Sequence, residues 1–279
     1  MGTDKRNRQK ENRRARQSEV AQHTQRQKLR RRITRFAVLI AVVFAIVALI
    51  RFTSNNDQTN TATSDSSIPV DSGAATESTV AQVAGGPFVY GEGECAPVDG
   101  SGAQVQKFAT APKLCIDLSK TYTAVVSTSK GDLTVVLDAK KSPGAVNNFV
   151  NLVRSKYFDG TICHRAIPTF MVQCGDPTAT GSGGPGYEFA DELPAAGEYK
   201  IGSLAMANAG PNTSGSQFFI ITGEQGVTLP PNYTLFGQVT KGLDTTLPAL
   251  DKAGNDDPAT NGVPPKEELR IMKVTISES

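Results

Sequence analysis

Residues 163–176 read CHRAIPTFMVQCGD. Pro168-Thr169 is a turn signal, so residues 162–167 and 170–174 are expected to pair as antiparallel strands around it. Period-two alternation on the return strand puts Met171 and Gln173 on one face. His164 and Arg165 stand just before the turn. An Arg beside Phe170, Met171 and Gln173 on a sheet wall makes an apolar patch with one fixed cation. Cys163 and Cys174 are equidistant from the turn and would face each other across the hairpin.

A second dense stretch, residues 204–220, reads LAMANAGPNTSGSQFFI. It packs small residues around Asn208, then sets Gln217 and Phe219 on one face of a strand. Phe219 would complete the same apolar patch. Working outward, residues 121–128 (TYTAVVST) and 132–138 (DLTVVLD) are β-rich runs split by Ser-Lys-Gly and read as a hairpin. Ser142-Pro143 opens a helix, with Ser as N-cap and Pro in the first turn. Val146, Phe149, Val150 and Val153 form its apolar stripe at i, i+3, i+4 and i+7. Residues 218–222 and 235–239 are two further strands, and residues 270–277 (RIMKVTIS) close the chain. Of the 26 Gly, 24 lie at or after Gly85, as suits a loop-rich, strand-based fold. Several short strands with few helices suggest a mainly β domain, a closed antiparallel barrel without exposed edges. Residues 242–268, polar with four Pro, read as an insertion and not as site.

The net charge of +2 hides an asymmetry. Residues 1–35 carry 13 Lys/Arg and 3 Asp/Glu, a net +10, whereas residues 36–279 sum to −8. Residues 36–50, FAVLIAVVFAIVALI, have no polar side chain and are flanked by Arg35 and Arg51. Fifteen residues are short of the usual span of about 20, but Ile33 and Phe52 extend the stretch and the Arg side chains can snorkel. No A-x-A-like site follows, so an uncleaved anchor is preferred to a signal peptide. The expected organisation is a basic cytoplasmic tail (1–35), a transmembrane anchor (36–52), a flexible disordered linker (53–86), a leading segment tied to the domain (87–120) and the domain itself (121–279). Positive charge before the span keeps the N-terminus in the cytoplasm, giving a single-pass protein of the cell membrane with its domain outside. The basic arm has no aromatic before Phe36 to stack on bases, so it reads as topogenic and no nucleic acid is expected.

Cys95, Cys115, Cys163 and Cys174 then all lie in an oxidising compartment, where an even count favours disulfides over four buried thiols. Three pairings are open. If Cys163 and Cys174 join across their hairpin, the other two pair and hold the leading segment down. Two His and four Cys argue against a zinc enzyme, so no metal and no cofactor is expected. There is no second His beyond the span to serve a nucleophile and no G-x-S-x-G. Residues 181–184 (GSGG) lack the Gly-Lys-Ser/Thr of a phosphate loop. A lone His such as His164 is more often structural than catalytic.

CHRAIPTFMVQCGD resembles the FHR-x-IP-x-FM-x-QGGD signature of the cyclophilins, and LAMANAGPNTSGSQFFI resembles their second signature. The similarity runs from about Tyr122 to the C-terminus. The resemblance implies an eight-stranded antiparallel barrel capped by two helices and cofactor-free peptidyl-prolyl cis/trans isomerase activity. The whole chain looks like a membrane-anchored, exported cyclophilin of an actinobacterial type, assisting the folding of exported proteins. By motif, Arg165 takes the family's catalytic place. His164, Phe170, Met171, Gln173, Ala207, Asn208, Ala209, Gln217 and Phe219 take substrate-binding places, and Gly181 lines the neighbouring pocket. Aligning on Phe236-Gly237, Leu229 takes the pocket Leu, and Tyr233 a position that is often His. Thr228 falls where many eukaryotic members have a Trp that donates a hydrogen bond to cyclosporin, which puts binding of that drug in doubt. The implied partners are proline-containing unfolded or exported polypeptides. A binding-only module or holdase on the same fold is the alternative.

Overall fold

The run YTAVVST is rich in β-branched residues and forms β1 (Tyr122–Thr128), which turns back as β2 (Gly131–Leu137) with Tyr122 opposite Leu137 and Thr128 opposite Gly131. This is a computed structural model, and it describes residues 88–279. The basic tail, apolar stretch and linker expected over residues 1–86 lie outside the described residues. Among those described, no helix is long and apolar enough to cross a membrane.

Six more strands follow: β3 (Arg165–Ile167), β4 (Met171–Cys174), β5 (Ser203–Met206), β6 (Phe218–Ile221), β7 (Leu235–Lys241) and β8 (Ile271–Glu278). All eight join one antiparallel sheet in the order β3-β4-β6-β5-β7-β2-β1-β8. β5 is not foreseen by the sequence reading. All four of its residues are buried, so it shows no alternation to read.

The sheet is mainly β and strongly curled, but it is not the closed barrel expected. No ladder joins β3 to β8. The seam holds one isolated bridge, Ile162 with Arg270, and main-chain bonds around it such as Cys163 N–H to Leu269 O at 2.8 Å. The reason lies at the outer edge of β3. Ala166 N–H donates to Gly262 O (3.1 Å) and Ala166 O accepts from Asn255 N–H (2.9 Å), so a loop occupies the place a closing strand would need. The helices number three among the described residues, not two: α1 (Pro143–Arg154), the single turn α2 (Glu224–Val227) and α3 (Thr246–Lys252).

α1 packs its stripe inward: Val146, Phe149, Val150 and Val153 are all buried. Phe149 stacks on Phe158 at 5.2 Å and meets Phe218 edge-on at 5.6 Å, with Phe236 at 5.3 Å. Each such ring contributes roughly 1.5–3 kcal/mol by leaving water. The start of α1 corrects one expectation. Pro143 opens it after Ser142, but the Ser142 hydroxyl donates to Leu235 O (2.7 Å) and caps nothing. The Glu192 carboxylate instead accepts from Gly144 N–H (3.0 Å) and Ala145 N–H (2.8 Å). Burial pushes that carboxyl up to about 7, although both N–H groups pull it down.

The other face of α1 holds the leading segment. Asn147 Oδ1 accepts from Cys115 N–H (2.7 Å), Asn147 Nδ2 donates to Lys113 O (2.9 Å), and Asn151 Oδ1 accepts from Ala96 N–H (2.8 Å). The disulfides are Cys95–Cys115 and Cys163–Cys174, one of the three pairings open to four cysteines and the one the hairpin geometry favours.

Candidate active site on the outer face of the sheet

Antiparallel register brings the candidate residues into rows. Arg165 lies opposite Gln173, Gln173 opposite Phe219, and Phe219 opposite Ala205. One step along, Ile167 lies opposite Met171 and Met171 opposite Ile221. The intervening residues Val172, Ile220, Cys174 and Phe218 point to the other side and join the core. Alternation therefore gives the sheet a second, smaller apolar cluster on its outer face: Met171, Tyr199, Ala205, Phe219 and Ile221. Ile167, Phe170, Leu229 and Tyr233 pack against it half-buried and leave a slot. Phe219 and Tyr233 meet edge to face at 5.3 Å.

Over this slot stands a single guanidinium, held from two sides. Arg165 Nη1 donates to Gln173 Oε1 (3.3 Å). Arg165 Nε donates to Asn261 O and Nη2 to Asn261 Oδ1, both at 2.9 Å. The relay continues inward. Gln173 Nε2 donates to Gln217 Oε1 (2.8 Å), and Gln217 Nε2 donates to Gly181 O (3.0 Å) and Gly183 O (2.9 Å). Burial lowers the pKa of Arg165, opposed by Tyr233, yet an Arg stays charged at any working pH.

The glycine-rich loop is itself built on Asp176. That buried carboxylate accepts from the N–H groups of Thr178, Thr180, Gly181 and Gly183. Burial raises its pKa, but the bonds from Thr178, Gly183 and Gly181 outweigh this and hold it at about 2. Gly181 has φ +82, and a Cβ there would stand 3.5 Å from His164 Nε2.

His164 is almost fully buried beside that loop, with Nδ1 unpartnered among the described residues. Burial lowers its pKa, with the Arg165 charge adding to the fall and Asp176 opposing it. Asn208 Nδ2 donates to Asn232 O (2.9 Å), and neither its N–H nor its carbonyl has a partner among the described residues. Ala207 N–H donates to Gln217 O (2.9 Å), and Ala209 N–H to Thr213 Oγ1 (2.8 Å). Thr228, at the end of α2, is exposed and donates to Gln225 O (2.9 Å).

Two residues that the sequence reading missed matter here. Tyr199 is buried under the slot; its hydroxyl donates to Tyr233 O (2.6 Å) and accepts from Tyr233 N–H (3.1 Å). Asn261 lies in residues 242–268, read as an insertion outside the site. That reading is corrected: the segment both covers the edge of β3 and grips Arg165. No local pattern announces either contact, because each joins positions more than thirty residues apart.

Residues 123–276 match the sequence profile described as "Cyclophilin type peptidyl-prolyl cis-trans isomerase/CLD". A curated relative from Mycobacterium tuberculosis, "Probable peptidyl-prolyl cis-trans isomerase B", is 42% identical over 155 residues, covering 50% of this chain and 50% of that protein. The chain thus spans about half the length of that relative. "Peptidyl-prolyl cis-trans isomerase-like 1" of Gibberella zeae is 44% identical over 169 residues, which is 57% of this chain and 96% of that one. A crystal structure of a Cryptosporidium parvum cyclophilin type peptidyl-prolyl cis-trans isomerase in the presence of the dipeptide Ala-Pro superposes with a TM-score of 0.50 at 36% identity, over 56% of this chain and 99% of that one. The two signatures, the eight antiparallel strands and the profile match over more than half of the chain agree: this protein belongs to the cyclophilin family.

Proposed function

We propose that the chain is a peptidyl-prolyl cis/trans isomerase. The observation that carries this reading is the Arg165 guanidinium fixed by Asn261 and Gln173 beside the half-exposed apolar cluster. Rotation about an X–Pro amide faces about 18–20 kcal/mol from lost resonance and takes tens to hundreds of seconds unaided. No covalent bond is made or broken, so the protein need only bind the twisted amide more tightly than either planar form.

In this reading Phe170, Met171, Phe219, Leu229 and Tyr233 hold the proline ring. Arg165 donates to the prolyl nitrogen as its lone pair localises, and Gln173 with Asn261 keeps the guanidinium from following the substrate. The free main-chain groups of Asn208 hold the substrate backbone on one side of the turning bond. Gln217, Ala207, Ala209 and Gly181 line the neighbouring surface. Preorganised donors of this kind are typically worth about 3–4 kcal/mol.

The substrates are proline-containing unfolded or exported polypeptides, and the apolar stretch at 36–52 anchors the protein to the cell membrane with this domain outside. Thr228 has no indole N–H to offer, which argues against tight cyclosporin binding.

A protease-coupled assay of a prolyl tetrapeptide with the full chain tests the activity. Wild type should exceed the uncatalysed rate, and Arg165→Ala should lower the catalysed rate at least tenfold. Proline-peptide binding in both forms, with both tracking the uncatalysed rate, would make the protein a binding module. For topology, an engineered Cys within residues 53–86 should react with an impermeant reagent on intact cells. Labelling only after lysis would put the domain inside.

A further inference from the structure

The segment ahead of the family domain forms one side of a groove that opens from the candidate site. A groove of about 1270 Å³ begins at Gln173, Ala207 and Gln217 and runs out between the glycine-rich loop and residues 89–92 and 107–111. Its near end belongs to the site already described. Its far wall precedes residue 123, where the family match begins.

That wall is built in. Gly93 pairs with Pro112, the Cys95–Cys115 disulfide closes the loop between them, and Phe108 N–H donates to Pro185 O at 2.7 Å. Phe108 packs edge-on to Tyr187 at 6.2 Å, and a Cβ on Gly144 would come within 2.2 Å of the Phe88 ring. The groove between the walls has the chemistry of a bed for an extended chain. Gly91 lies on one wall, packed on Ala111, and Gly181, Gly183 and Gly184 lie on the other; of these, Gly184 leaves open space, since a Cβ there would meet nothing within 4 Å. Val89 lines it with half of its surface exposed, an apolar contact ready for a side chain.

We propose that residues 89–92 and 107–111 bind the same polypeptide whose prolyl bond sits at Arg165, several residues away from the proline, so that the protein takes long extended chains in preference to short peptides. The occupant follows from continuity: one groove serves both walls and opens into the candidate site. This inference rests on the isomerase reading of that site.

Fluorescence anisotropy on the full chain tests it, with a labelled tetrapeptide Ala-Ala-Pro-Phe and a ten-residue peptide carrying the same core between uncharged flanks. A tetrapeptide spans at most about 14 Å and a ten-residue peptide about 36 Å, so the longer one reaches further along the groove. The longer peptide should bind at least fivefold more tightly. Val89→Asp, an exposed change, should cut that advantage to within twofold at unchanged melting temperature, and Cys95→Ser/Cys115→Ser should also diminish it by loosening the wall. Equal affinities in wild type, or a Val89→Asp chain that keeps the full advantage, overturn the proposal. So does self-association with rising concentration and no effect of peptide length, which would make a second copy the occupant. Turnover of the tetrapeptide is scored separately. A length preference without turnover sinks the isomerase reading and leaves the groove; turnover without a length preference does the reverse.

Discussion

Phe218 and Phe219 are consecutive on β6 and face opposite sides of the sheet. Phe218 enters the inner cluster with Phe149, Phe158 and Phe236, where every ring is enclosed by others. Phe219 enters the outer cluster, whose rim of Phe170, Leu229 and Tyr233 stays half-exposed. The same strand therefore supplies a closed core and an open slot. Inside, apolar contacts are complete and only stability depends on them. Outside, the apolar rim stays half-exposed, and one cation, Arg165, is held by Gln173 and Asn261.

The sharpest way to break this contrast is to truncate each ring in turn. Phe218→Ala should cost about 3–5 kcal/mol in urea unfolding, from lost transfer energy and the cavity left behind. Phe219→Ala should cost less than half as much and yet reduce tetrapeptide turnover more. Equal stability losses, or activity loss from Phe218→Ala alone, would remove the distinction between the faces.

Next in size is the Cys163–Cys174 disulfide, which ties Cys163, just ahead of β3, to the end of β4 across a separation of 11 residues. Replacing both with Ser should lower stability by about 3 kcal/mol on loop entropy. Turnover by the folded fraction should fall too, because Arg165 and Gln173 lie just inside the tie. Full activity in the folded fraction would show that the β3–β4 ladder alone aligns them.

A smaller effect is expected from Asn261→Ala, which removes one of the two bonds that residue gives the guanidinium while leaving its main-chain oxygen. One such bond is worth about 0.5–1.5 kcal/mol, so kcat should fall about two- to tenfold. Asn261→Asp keeps an acceptor and should retain most of the rate. If Asp fares no better than Ala, the loop supports β3 and does not position Arg165.

A pH-dependent effect on stability, with none expected on turnover, concerns Glu192. Its folded pKa is raised to about 7 from 4.5, so its contribution to stability is fully present below 4.5 and is lost as pH rises through 7. Glu192→Gln should flatten the pH dependence of the melting temperature between 4.5 and 7. A wild type that gains stability over that range relative to the variant would mean that the bonds from Gly144 and Ala145 outweigh burial.

Local pattern made several features legible. The β-branched hairpin, the stripe of α1 and the shared face of Met171 and Gln173 are all short-period signals. Pairing of Cys163 with Cys174 followed from their equal distance from one turn. The capping of α1 was misread because Ser142 has the right side chain in the right place, yet a partner 93 residues away, Leu235 O, claims its hydroxyl. The three Asn of α1 carried no signal, because a polar residue off the apolar stripe ordinarily meets water. Here Asn147 and Asn151 meet the leading segment, and Asn148 bonds Gly215 O and the Tyr187 hydroxyl.

By itself the sequence determined which residues could form strands, the apolar face of α1 and, through two long motifs, the family and its candidate site. Only the tertiary structure decided that the sheet stays open at β3, that Asn261 grips Arg165, and that residues 89–92 and 107–111 wall the groove. The physical reason is the range of the interactions. Alternation and helical period are written within a few residues, whereas a main-chain carbonyl offered from a distant loop leaves no mark on the residues that will receive it.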